Sequence, residues 1–153
     1  MDPFLIKKLG EAFAFTRAFR DTLQKGKKGF LKIIEKKEFE SLLSKNEAHI
    51  GSIMKIVAEH DIDEEVRERA ARMEEKLNKM RGVFLPREKN FSDPLEVSEW
   101  MGFFEGAAYL HWVVVKDEAD DKGADKLSTL SGKAADFHEA VLLKIASYVK
   151  KIR

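Results

Sequence analysis

Two histidines carry most of the chemistry that this chain of 153 residues could perform away from its surface. His111 is preceded, four and three positions earlier, by Ala107 and Ala108, and His138 by Ala134 and Ala135. Helical side chains lean toward the N-terminus, so each imidazole is predicted to lie over two small residues with space around it. Two neutral imidazoles converging in an apolar slot can bind a transition metal, and with a carboxylate they can act as acid and base. Glu118, one heptad beyond His111, is the first candidate for that carboxylate and Glu105 the second. No short metal motif accompanies them. The plainer reading, which takes precedence, is a pair of core histidines bonded to each other, to a carbonyl or to water. His49 falls at the border of an apolar stripe and His60 close to a helix end.

Other chemistries have less to stand on. There is no cysteine, which removes disulfides, thiolate nucleophiles and thiolate metal sites together. Ser128, Thr129, Ser131 and Ser147 occupy cap or surface-like positions, and none sits on a strand-to-helix elbow. The stretch GKKG lacks the spacing of a phosphate-binding loop and follows no strand. Catalysis is therefore not the expectation, and no cofactor is called for unless a transition metal sits at the histidines.

The elements that must position these residues are helical. The three prolines, Pro3, Pro86 and Pro94, stand where helices begin or are interrupted, and no segment alternates with period two. Asp2-Pro3 reads as a cap and first helical position, opening a helix with Leu5, Leu9, Ala12, Thr16, Phe19 and Leu23 on one stripe. After QKGKKG a second helix is predicted from about Phe30 to His60, with a break near Asn46 or Gly51. A third, after HDID, carries a narrow seam of Val66, Ala70, Met73, Leu77 and Met80 and stops at Gly82. Asp93-Pro94 restarts a fourth that runs to about Glu118, and a fifth spans roughly residues 127 to 152. The acidic turn between them, DEADDKGADK, lacks the ligand spacing of a calcium loop and reads as a solvated turn. The sum is one all-α domain over residues 1 to 153, an antiparallel bundle of about five helices.

A faint echo links two of these helices. EAHIGSIMKIVA, residues 47 to 58, and DFHEAVLLKIAS, residues 136 to 147, superpose His49 on His138 and Lys55 on Lys144. Paired hairpins sharing a repeat are how ferritin-like bundles are built, but those place a glutamate three residues before each histidine. Here Asn46 and Ala135 hold those positions. The diiron pattern is absent, and the echo suggests only two related helical hairpins.

Charge and apolar patterning bear on partners. Net charge is +1, with 44% hydrophobic and 36% charged residues, a composition neither disordered nor membrane-like. Positive charge is concentrated in the first 37 residues, where Lys27, Lys28, Lys32 and Lys36 form a candidate phosphate-contacting patch; nucleic-acid binding is a further alternative on that ground. A single glutamine and three asparagines against abundant Lys and Glu suggest a thermophilic source, and the N-terminal residues, lacking an apolar run, suggest a cytoplasmic protein.

The stretch FFEGAAYLHWVVV, residues 103 to 115, is apolar on almost its whole circumference apart from Glu105 and His111. It is too short and interrupted to span a bilayer, so it is expected to be a central helix or to meet another chain. Gly102, Gly106, Tyr109 and Val113 lie opposite His111 and form the predicted contact of a two-fold homodimer, with Glu105 as its solvated rim. The leading expectation is a non-enzymatic helical assembly or protein-interaction module, with a metal- or small-ligand-binding bundle as the alternative.

Overall fold

The computed structural model describes residues 1–152, and over these the fold is all-α, with no strand. Five long helices and one short one follow in order: α1 (Pro3–Lys25), α2 (Lys27–Phe30), α3 (Lys36–Glu59), α4 (Asp63–Phe84), α5 (Pro94–Asp121) and α6 (Asp125–Ile152). A 3-10 turn over Glu88–Ser92 precedes α5. None of these helices is long and apolar enough to cross a membrane.

The starts follow the caps. The Asp2 carboxylate accepts the N–H groups of Phe4 and Leu5, and the Asp93 carboxylate those of Leu95 and Glu96, each satisfying donors that the first turn leaves free. The α5–α6 turn places Gly123 at φ +68°, a left-handed conformation that glycine adopts without strain. It joins two helices of 28 residues into the most extensive packing in the molecule. The expected second helix differs in one respect. A separate turn of helix, α2, takes Phe30 into the core, and α3 then runs unbroken through Asn46 and Gly51.

The centre of the bundle is α1, which packs on α3, α4 and α5. Its buried residues include the consecutive run Ala12–Thr16, so more than one stripe is covered. The small residues on its other sides explain this. A Cβ placed on Gly10 would lie 2.6 Å from the Cβ of Arg69 and 3.0 Å from the carbonyl oxygen of Val66, so α4 sits on α1 at a distance only glycine permits. The remainder of α4 buries just Val66, Ala70 and Leu77, in keeping with the narrow seam.

Helix α5, by contrast, is only half covered. Phe103, Leu110 and Val113 are 48%, 59% and 37% exposed, which places α5 at the outside of the chain and leaves the central position to α1.

Glycine substitutions test this packing. Gly10→Ala should lower stability to chemical denaturation, because overpacking costs about 1–3 kcal/mol and outweighs the helix-propensity gain. Gly51→Ala, where a Cβ meets nothing within 4 Å, should instead stabilise by roughly 0.5–1 kcal/mol. Equal effects of the two changes in urea unfolding would contradict the close α1–α4 approach.

Candidate functional site: a buried carboxylate–imidazole pair

Along α5, Met101, Glu105, Ala108 and Trp112 recur at four- and three-residue steps and are all buried. On α6 the same spacing buries Ala134, His138, Val141 and Ile145. Where these two faces meet, the Nδ1 of His138 lies 2.7 Å from the Oε2 of Glu105, and both side chains are completely shielded from solvent. Phe19 and Phe137 stand edge-on to the imidazole at centroid distances of 5.5 and 5.2 Å.

Burial pushes the Glu105 carboxyl above its ordinary value, opposed by the charge of His138 and its hydrogen bond. An isolated carboxylate here would be severely destabilising, and the proton shared with His138 is what makes the site tolerable.

Two further polar groups come in from α3. Asn46, fully buried, donates from Nδ2 to the carbonyl oxygen of Thr16 at 3.0 Å. One turn on, His49 packs edge-on to Phe137 at 5.3 Å. Its imidazole is depressed from 6.5 to about 4, first by burial, then by the positive fields of His138 and Lys133. It is neutral at neutral pH. The Oε1 of Glu105, the Nε2 of His138, the Nδ1 of His49 and the Oδ1 of Asn46 are buried and have no bond to protein. α1, α3, α5 and α6 thus each contribute to one polar region in an apolar core.

This arrangement can hold a proton out of contact with solvent. The nearby hydroxyls are spent on backbone, Thr16 Oγ1 donating to Ala12 and Ser131 Oγ to Leu127, so neither is a poised nucleophile. Among the described residues no group of three or more His, Asp or Glu is arranged to hold a metal ion.

The predicted site residues are therefore divided. Glu105 and His138 are brought together; His111 is not part of the pair. It lies on the α1 side of α5, its ring 4.6 Å from Phe15, its Nδ1–H donating to Ala107 at 2.9 Å and its Nε2 3.5 Å from Glu11. Glu118 is half-buried and thirteen residues beyond Glu105, about 20 Å along the helix, and bonds to neither histidine. The expectation that Glu105 is a solvated rim residue is corrected by its complete burial: it occupies the α6-facing side of α5, between Met101 and Ala108. The matched Ala-Ala settings did not identify partners. The internal echo held a better signal, since the two histidines it superposes, His49 and His138, both pack against Phe137.

The basic patch is also divided. Lys27 and Lys28 line an exposed cleft of about 450 Å³ with Phe91. Lys32 donates to the carbonyl oxygen of Ser92 at 2.9 Å, and Lys36 lies 3.9 Å from Glu40.

No family model, curated protein or solved structure matches the chain. The site must accordingly be judged on its own geometry.

Two measurements probe it. His138→Leu leaves Glu105 buried without a partner. Because burial holds the folded carboxyl above its ordinary value of 4.5, the variant should keep its stability at acid pH and lose it as pH rises above that value. Breaking a buried pair typically costs about 3–5 kcal/mol, and the double variant Glu105→Leu/His138→Leu should recover most of that loss in denaturation experiments. Additive single and double effects would mean that the pair is not coupled.

The second concerns His49. Its folded value is depressed, so the unfolded chain binds the extra proton between about 6.5 and about 4, and stability should fall as pH drops through that window. His49→Phe should reduce this acid slope relative to the unmodified chain. An unchanged slope would contradict a half-buried, neutral His49.

Proposed function

We propose that the protein is a homodimeric assembly module whose contact is the outer face of α5. The observation that carries this reading is an exposed apolar stripe on a helix whose opposite face is fully packed. Phe103, Leu110 and Val113 fall at helical spacing on one side, with Gly106 between them. A Cβ on Gly106 would meet nothing within 4 Å, so the glycine serves no packing need inside the chain.

The contact proposed on this face differs in detail from the sequence expectation. Gly102 is turned toward α6, where a Cβ would lie 3.8 Å from Ile145, and Tyr109 is half-buried. Phe103 and Leu110 take their places beside Gly106 and Val113. A large–small–large order is self-complementary: in an antiparallel pairing about Gly106, Phe103 of one copy faces Leu110 of the other while the backbones approach over the glycines. Two-fold pairing is the commonest closed way for one surface to cover itself.

The end of α4 enlarges the patch. Phe84 packs against Phe103 with the rings tilted and their centroids 5.1 Å apart, and on the same helix Met80 and Val83 are 38% and 78% exposed. A stable interface needs about 1,000 Å² or more in total, which a single helix face does not reach alone but two adjoining helices can.

Light scattering coupled to size exclusion should give twice the 17.5 kDa chain mass at micromolar concentration. Leu110→Glu should return it to the single-chain mass with the helical circular dichroism unchanged, because the side chain is exposed in the isolated chain. A monomer in the unmodified protein, or a dimer that survives both Leu110→Glu and Gly106→Leu with the fold intact, overturns the reading.

A further inference from the structure

A groove of about 430 Å³ runs between α3 and α6, on helices other than the one assigned to self-association. Its volume falls within the range of small-molecule sites, about 300–1,000 Å³. Ile56 and Leu130, both buried, line its apolar part. Its polar lining is rich in donors: the hydroxyls of Ser52 and Thr129, the ring of His49, and the ammonium groups of Lys55, Lys126 and Lys133.

The charges are unevenly matched. Lys126 is paired with Glu59 at 3.2 Å, and Glu59 is the one carboxylate in the lining. Lys55 and Lys133, on the same groove, have no carboxylate within 4 Å among the described residues, so the lining carries more positive than negative charge. Two unpaired cations beside an apolar patch favour a ligand with one anionic end and an apolar body. The neutral His49 imidazole adds a hydrogen bond rather than a third charge.

We infer that the groove between α3 and α6 binds a small amphiphilic organic anion, its head between Lys55 and Lys133 and its apolar body on Ile56 and Leu130. A charge-assisted contact to each ammonium group supplies the polarity of the ligand, and the apolar patch supplies the reason that a free inorganic anion is not enough. The head can be a carboxylate or a phosphate monoester, which share this chemistry.

The full chain, labelled with ¹⁵N, is titrated at neutral pH with octanoate, octyl phosphate, octanol and inorganic phosphate. The expected result is saturable shifts with either amphiphilic anion, centred on Ser52, Ile56, Leu130 and Lys133; the tighter of the two identifies the head. Lys55→Ala/Lys133→Ala should weaken that binding about ten-fold, the scale of a lost charge-assisted contact. Lys27→Ala/Lys28→Ala, in the other basic cleft, should leave it unchanged. Octanol binding as tightly as the anions reduces the groove to an apolar crevice and overturns the inference. So does inorganic phosphate binding as tightly as the amphiphiles, undiminished affinity in the Lys55/Lys133 variant, or shifts that map outside the groove. Because Lys55 and Lys133 are exposed and distant in sequence from the α5 stripe, neither result depends on whether the protein is a dimer.

Discussion

The pairing of Glu105 with His138 is the constraint that the rest of the bundle must respect. Two ionisable side chains, both without solvent contact, lie on the two helices that share the most surface. A buried pair contributes little net stability compared with apolar residues of the same size, because desolvation consumes most of the attraction. Separating its members is another matter, since it leaves a charge or an unpaired polar group in the core. Any sliding of α6 along α5 would break a 2.7 Å contact, so the pair penalises alternative registers that a Leu–Leu contact would tolerate. Asn46 acts similarly for α3, tying it to α1 through the Thr16 carbonyl, and Tyr148 holds the far end of α6 to α3 by donating to Glu38 at 2.6 Å.

Around this polar region the packing is aromatic and tight on one side, loose on the other. Phe15, Phe19, Trp100 and Phe104 fill the space between α1 and α5, with the Trp100 indole N–H donating to the buried Thr22 hydroxyl at 3.2 Å. Between α3 and α6 the contact is sparse, and that is where the groove opens. His49 therefore has two surroundings. It touches Phe137, which also flanks His138, and it lines the groove.

Much of the architecture was legible in the sequence because it rests on local rules. Asp2 and Asp93, each followed by proline, mark two helix starts; Gly123 marks a turn; and the sparse apolar residues of α4 foretell a peripheral helix. The hierarchy among helices was harder to read. The most apolar segment, residues 103 to 115, left open a central helix or a helix that meets another chain; the central place belongs to α1, whose Gly10, Ala14 and Ala18 admit neighbours without adding to an apolar stripe. The site was half legible for a related reason. Periodicity identifies a buried face but not what lies across it. His138 was visible as a core histidine; that Glu105, six positions from His111, would be its partner depends on the register of α5 against α6, which no spacing within one helix encodes.

The inverted character of α5 is what links these observations. Over one stretch it turns a glutamate inward and a phenylalanine, a leucine and a valine outward. Exchanging those preferences would suit an isolated bundle better on both faces, since an apolar residue at 105 would avoid the desolvation of a carboxylate and a polar one at 110 would shed an exposed leucine. Sequences depart from such local rules chiefly where something other than the stability of the single chain is being served. The inward departure is compensated within the chain, by His138. The outward one is compensated only in part, by the rings of Phe84 and Trp100 against Phe103, while Leu110 stays 59% exposed, and that asymmetry is why the outer face, rather than the buried pair, supports the reading of α5 as a surface for assembly.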